Sequence, residues 1–407
     1  MYNIKKIKEN EMNIYADNAA TTKMSETAIN TMVDCMKNIY GNPSSLYMLG
    51  QKAKEKLEEC RLEVARMLNA HPGEIYFTSG GSEADNQALL SAAQFGKRNG
   101  KNHIVSTAFE HHAILHTLNK LEKEGFEITL LPVHSSGIVD VDELKDAIRE
   151  DTCLVTVMTA NNEIGTIQPI AEIGEVCRSR KVLFHTDAVQ AVGHIPIDVE
   201  KMNIDMLSAS AHKFHGPKGV GFLYVKKGVR LTNLIEGGAQ EKGKRAGTEN
   251  VAGIASMTAA LKESIANMEK DKARLTPIRD YIIDGLSEIP HSALNGDREK
   301  RMYGNINFSF EGIEGESLLI LLDQKGISAS SGSACTSGSL DPSHVLLAIG
   351  RIHDVAHGSL RLSLGADATM EEADYIIKST KEVVEYLRGF SPVWRDLITG
   401  KKEFILK

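Results

Sequence analysis

The chain has 407 residues, 42% of them apolar, and carries 47 Lys and Arg against 54 Asp and Glu for a formal charge of -7. That length exceeds the size at which one hydrophobic core keeps growing, so two domains are expected. The mild acidity gives no electrostatic case for nucleic acid. The five cysteines, Cys35, Cys60, Cys153, Cys177 and Cys335, are scattered and never in a C-x-x-C pair, which indicates neither a disulfide framework nor a zinc site and fits a reducing cytosol. The start, Met1 to Asn10, is charged without a following apolar core, and no window approaches ~18 uninterrupted apolar residues, so neither secretion nor membrane insertion is expected.

From about residue 25 to 270, helical stretches alternate with short β-rich runs. Helix-like patterns at Ser25 to Asn38, Leu46 to Leu68 and Glu83 to Phe95 are followed by strand-like runs at His103 to Thr107, Leu154 to Met158 and Val182 to Thr186. This alternation predicts an α/β domain with a largely parallel sheet, whose ligands belong beyond the carboxyl ends of the strands. Glu74 to Thr78 followed by Ser79-Gly-Gly-Ser-Glu83 reads as strand, glycine turn and helix start. Its backbone N–H groups and helix dipole suit a phosphate, and Ser82 adds a hydroxyl, although Ser82 as a plain N-cap is an equal reading.

Two further strand ends carry chemistry. Val182 to Asp187 ends on a carboxylate, by itself more often a helix cap, with Gln190 three residues on. Asp205 to Ser210 runs into Ala211-His212-Lys213, and a lysine in isolation belongs on a solvent-facing surface. After about residue 255 the pattern changes to a long charged amphipathic helix (Ser256 to Leu286), then Asn305 to Phe310, a small-residue loop, Ser359 to Leu364 and a closing helix, Met370 to Leu387. These predict a second, α+β domain. The loop, Gly326 to Leu340, follows an apolar stretch (Glu316 to Leu322) and holds Cys335 among glycines and serines. Such a composition suits an arm that carries a reactive thiol, and equally a turn with an incidental cysteine. The other four cysteines fall on predicted helices or an apolar strand and read as packing residues.

A phosphate cradle, a strand-end Asp and a strand-end Lys are together what pyridoxal 5'-phosphate needs: a clamp, a carboxylate for its ring nitrogen and an amine for the Schiff base. The order of motifs also resembles the fold-type I pyridoxal-phosphate enzymes of the class V aminotransferase family, specifically the cysteine desulfurases of the NifS and IscS kind. The matching segments span almost the whole chain: Asp17 to Thr22, Gly41 to Ser45, Phe77 to Glu83, Glu110 to Ala113, Asn161 to Gly165, His185 to Gly193, Ala211 to Lys213, Arg245 to Thr248, Ser330 to Thr336 and Ser359 to Leu364. Ala16, Ala19 and Ser82 depart from the usual residues, and the segment after Trp394 lacks the tail by which housekeeping relatives engage a scaffold protein.

The resemblance implies an α/β, fold-type I PLP-dependent transferase: a large domain (23–265) with a mainly parallel seven-stranded sheet, and a small α+β domain (1–22 and 266–407) with the cysteine loop (about 326–342). It makes Lys213 the Schiff-base lysine and the base that moves the substrate's α-proton. Asp187 would pair with the pyridine nitrogen, Gln190 and Asn162 would bond the ring hydroxyl, and His111, rather than its neighbour His112, would stack on the ring. Gly81, Ser82, Ser210 and His212 would hold the phosphate, with Thr248 reaching that of the other subunit of a homodimer. Arg361, with Asn162, would bind the substrate carboxylate, although strand alternation alone allows Arg361 to be exposed. Cys335 would take the sulfur of L-cysteine as a persulfide, leaving L-alanine, and pass it to iron-sulfur cluster assembly or another sulfur acceptor, in the cytoplasm. A selenocysteine lyase, an aminotransferase on the same fold, which has no use for Cys335, and a non-catalytic scaffold are the competing readings.

Overall fold

A computed structural model describes residues 12–331 and 342–406, so Cys335 lies outside the described residues. In chain order the strands are β1 (Ile14–Tyr15), β2 (Ile75–Thr78), β3 (His103–Thr107), β4 (Glu127–Leu131), β5 (Thr152–Thr156), β6 (Leu183–Asp187), β7 (Met206–Ser210), β8 (Gly221–Val225), β9 (Ser292–Leu294), β10 (Asn305–Phe310), β11 (Ile327–Ser328) and β12 (Ser359–Ser363). The first four α-helices are α1 (Glu26–Asn38), α2 (Met48–Met67), α3 (Gly81–Arg98) and α4 (His112–Lys123).

Seven strands form one sheet in the order β2-β8-β7-β6-β5-β3-β4. The run from β7 to β4 is parallel, whereas β8 is antiparallel to both β7 and β2. Every residue of β3, β5 and β7 is buried, as expected of parallel strands covered by helices on both faces. One apolar cluster, including Val105, Val155, Phe184 and Phe222, fills one side of the sheet, and a second, including Ala88, Leu89, Ile104 and Leu154, fills the other. This is the α/β, fold-type I arrangement, with the sheet mainly parallel and two antiparallel contacts at one edge.

A third core lies around the antiparallel sheet β12-β10-β9 and the parallel pair β1 and β11. The helix Val251–Ser287 joins the cores: Ile254, Met257 and Leu261 belong to the first, Leu275, Ile282 and Leu286 to the third. Here one expectation is corrected. Met370–Phe390 is not the closing helix, because Pro392–Ile398 follows it. Ser391 caps that helix through Trp394 N–H (3.1 Å), and the chain then folds back so that Phe404 stacks on His291 at 3.6 Å. No helix of the described residues is long and apolar enough to cross a membrane.

Candidate active site

The parallel strands all present their carboxyl ends at one edge of the sheet, and the turns that follow them line a pocket of about 300 Å³. Around it stand Gly81, Ser82, Asp85, His111, Asn162, Asp187, Gln190, Ser210, His212, Lys213 and Arg361, together with Ala19, Ala20, Met158 and Val189. Ten of the residues singled out from sequence therefore share one cavity. Thr248 does not line it and is exposed.

One end of the pocket is a backbone cradle. Gly80 caps α3 with φ +151°, a conformation essentially reserved for glycine, and Ser82 lies within the first turn instead of capping it. A Cβ on Gly81 would lie 2.6 Å from Val189 Cγ2, so no side chain fits between the helix start and the strand-end turn. The opening N–H groups of α3, with Ser82, Ser210 and His212 beside them, make an anion site. Burial and the Lys213 and Lys218 charges push His212 down to about 4, so the ring is a neutral donor or acceptor at neutral pH.

Along the floor, Asp187 ends β6, and its Oδ1 accepts a hydrogen bond from Val189 N–H at 2.9 Å. Burial lifts this carboxyl to about 6, opposed by that N–H and by the Lys213 charge. His111 caps α4: its Nδ1 accepts from Ala113 N–H at 3.1 Å, which leaves the ring proton on Nε2. Burial and the neighbouring Lys213 and imidazoles push it down to about 4, so it faces the pocket as a neutral flat ring. His112 turns away, packing against His116 and His344 with ring centroids 5.1 and 4.6 Å distant.

Lys213 follows β7 on a single 3-10 turn, and its Nζ donates to the carbonyls of Ala19 (2.6 Å) and Ala20 (2.8 Å). Gln190 Nε2 donates to Ala19 O at 2.9 Å, so the Asp17 to Thr22 motif wraps over the amine. From behind, His194 Nε2 donates to Lys213 O at 2.8 Å, and its Nδ1 accepts from the Tyr303 hydroxyl at 2.9 Å.

Arg361 corrects the exposed-strand alternative: it is 2% exposed. Its Nη2 meets Asp17 Oδ1 at 2.7 Å and its Nη1 donates to Asn162 O at 3.1 Å, while Nε has no partner among the described residues. The chain on either side of the 332–341 stretch is fixed at this same corner. Ser330 exchanges backbone hydrogen bonds with Arg361 (2.6 and 3.1 Å), and the Ser343 hydroxyl donates to the buried Glu163 carboxylate. The other four cysteines are all buried, and desolvation pushes the thiols of Cys60 and Cys153 up to about 11 and that of Cys177 to about 12.

Asp17, Asp85 and Glu163 are site residues to which sequence reasoning gave no role. Asp85 had a signal: it is an acid one turn after Gly81, on a helix face otherwise made of small buried residues such as Ala84, Ala88 and Ala92.

The sequence profile of the family described as Aminotransferase class-V matches residues 14–376. A cysteine desulfurase IscS of Clostridium botulinum (strain Hall) is 52% identical over 96% of this chain and 99% of its own length. Among solved structures, a NifS-like protein superposes with a TM-score of 0.87 at 37% identity, covering 92% of this chain and 100% of that one. A structure titled "SspA in complex with cysteine" superposes with a TM-score of 0.76 at 35% identity, over 86% and 98%. The chain belongs to the class-V aminotransferase family and, within it, to the cysteine desulfurases of the NifS and IscS kind.

Proposed function

We propose that the pocket holds pyridoxal 5'-phosphate and desulfurates L-cysteine by way of Cys335. The observation that carries this is the convergence of Lys213, Asp187, His111 and an anion cradle on one cavity whose far corner is Arg361. The cofactor fits the donor set: the α3 start, Ser82, Ser210 and His212 for its phosphate, Asp187 for its ring nitrogen, Gln190 and Asn162 for its ring hydroxyl, and His111 against its face. Bound there, it supplies a carbonyl carbon for an amine and an electron sink for charge left on the substrate carbon.

The chain's own residues do the rest. Arg361 takes the substrate carboxylate through Nε and a second guanidinium nitrogen, in the two-bond geometry that favours Arg over Lys. Lys213, released from the Ala19 and Ala20 carbonyls, accepts and returns the α-proton. The Cys335 thiolate attacks the substrate sulfur, the C–S bond breaks with its electron pair left on the β-carbon, and that carbon takes up one proton, equivalent to the one the thiol gave up; the sulfur stays on the protein as a persulfide while alanine leaves. Anchoring of Ser330 and Ser343 at the pocket corner supports a thiol delivered from the 332–341 stretch.

The domain division proposed is 23–265 for the large domain and 1–22 with 266–407 for the small one. A homodimer is proposed because Thr248 is exposed on its own chain, where a second copy's phosphate can be met, and because Leu46 and Met48 at the start of α2 are 90% and 84% exposed. A sulfur-acceptor or iron-sulfur scaffold protein as partner and a cytoplasmic setting complete the proposal. The test is direct: protein loaded with the cofactor and given L-cysteine plus a thiol reductant should release alanine and sulfide in equal amounts. Alanine production that requires a keto acid would replace this reading with an aminotransferase.

A further inference from the structure

Asp85 lies fully enclosed on α3, 1% exposed, at the base of the pocket. The Ser208 hydroxyl favours its charged form, while its Oδ1 has no hydrogen-bond partner among the described residues. Ser208 is the last donor of a buried chain: Thr156 Oγ1 sits 2.9 Å from His185 Nδ1, and His185 Nε2 sits 3.0 Å from Ser208 Oγ. Burial holds the His185 ring neutral, so with Nδ1 accepting from Thr156 it donates to Ser208. Only neutral donors therefore reach Asp85 from this side. On the other side, ligand atoms of Asp85, Asp187 and His111 all lie within 4.8 Å of one another.

Two ionised carboxylates this close, out of contact with water, repel strongly, and such pairs retain a proton between them. Glu110, a third buried acid, faces both, and the cation that faces Asp187 is Lys213. Asp187 has a backbone N–H and Lys213 to favour its charged form, whereas Asp85 has one hydroxyl and an Oδ1 that makes no hydrogen bond and lies 3.8 Å from Nε2 of the neutral His185 ring. The proton belongs on Asp85.

We propose that Asp85 is a positioning residue that stands in the pocket as a neutral carboxylic acid and thereby leaves Asp187 ionised for the cofactor's ring nitrogen. This rests on the cofactor reading given above. It is not a metal-ligand role, since a neutral acid is a poor ligand.

The test combines infrared spectroscopy with cofactor binding. At pH 7.5 the wild-type protein should show the C=O stretch of a protonated carboxylic acid, and that band should be missing from Asp85→Asn, where the Glu110 band remains as an internal control. Asp85→Asn, an uncharged isostere, should bind pyridoxal 5'-phosphate within about twofold of wild type, and Asp85→Ala, which leaves a hole beside Asp187, should bind it about tenfold or more weakly. The absence of an Asp85-dependent band overturns the proposal. Equal weakening in Asn and Ala would show that the negative charge is what matters, and no weakening in either would show that Asp85 has no role; each also overturns it. The cofactor reading fails separately, if wild-type protein mixed with pyridoxal 5'-phosphate develops no visible absorption band at all.

Discussion

Asp17 and Arg361, 344 positions apart in sequence, form a 2.7 Å ion pair across the pocket corner, and the guanidinium Nε beside it points to no partner among the described residues. The pair holds the arginine in place while its buried Nε keeps an unused hydrogen-bond donor. A substrate carboxylate arriving there meets a charge that is already oriented, so little side-chain freedom remains to be lost on binding.

Arg361→Lys keeps the charge and can keep the contact with Asp17, but it cannot also reach Asn162 O and offer two parallel N–H groups. The KM for L-cysteine should rise at least about tenfold while the visible spectrum of the bound cofactor stays unchanged. Steady-state kinetics beside an absorption spectrum checks both halves. Near-normal saturation by cysteine would remove Arg361 from the substrate site.

Lys213→Ala removes the only amine lining the pocket among the described residues. The variant should fold, because Ala19 O and Ala20 O can turn to water, but it should lose the absorption near ~420 nm that a lysine-bound cofactor gives. Retention of that band would transfer the role to another amine, with Lys218 the first to test.

Much of this was legible in the chain. The strands His103–Thr107 and Asn305–Phe310 end where apolar, β-branched runs end, and Asp187, Ser210 and Lys213 lie just where a parallel sheet puts its ligand edge. The contacts between distant segments were not legible, because local pattern carries no information about them. Nothing around Glu163 or Ser343 announces that a carboxylate and a hydroxyl 180 residues apart will meet. Strand alternation left Arg361 on either face; all of Ser359–Ser363 is buried, and Arg361 meets Asp17 from the first motif there. The helix Pro392–Ile398 did have a local signal, Ser391-Pro392 as N-cap and first turn ahead of the apolar Val393, Trp394, Leu397 and Ile398.

Glu110 should make stability fall with rising pH. Burial pushes its carboxyl up to about 8, opposed by hydrogen bonds from the Thr107 hydroxyl and Met158 N–H. In the unfolded chain the group loses its proton near ~4.3, so between there and about 8 the native state binds the extra proton. Its contribution is complete at low pH and lost as pH rises through the folded value. Above the titration of the buried neutral histidines, urea midpoints measured from pH 7 to 9 should decline for the wild type and decline less for Glu110→Gln. Glu163, raised to about 7 by burial, keeps some decline in the variant. Parallel pH profiles for the two proteins would contradict the assignment.

The buried pair Arg61 and Glu241 supports the phosphate cradle from a distance. Two 2.8 Å hydrogen bonds join them, Arg61 also donates to Ile75 O, and Glu241 accepts from Phe77 N–H, so both clamp strand β2 just before Gly80. Each side chain is 2% exposed. Glu241→Ala should cost about 3 to 5 kcal/mol, because it strands a buried guanidinium, and replacing both partners with apolar residues should cost less than the single change. Chemical denaturation of the two single variants and the double variant tests this. Additive losses would mean that the two residues act independently.

Cys335→Ser separates cofactor chemistry from sulfur transfer. The change is one atom in a stretch of glycines and serines, so folding and the visible spectrum should survive it. L-cysteine should still bind, because Arg361 and the pocket are untouched, and a spectral change on mixing should report that binding. Turnover should then stop: a serine hydroxyl is not ionised at neutral pH and cannot hold sulfur as a stable persulfide. None of the other four cysteines is placed to substitute, since all are buried and the thiols of Cys60, Cys153 and Cys177 are held protonated by desolvation. In the wild type, cysteine added without reductant should leave ~32 Da on the peptide that contains Cys335, one sulfur atom retained by the nucleophile. Alanine and sulfide released by the serine variant at the wild-type rate, or extra sulfur mapped to Cys35, Cys60, Cys153 or Cys177, would show that the sulfur leaves the substrate by another route.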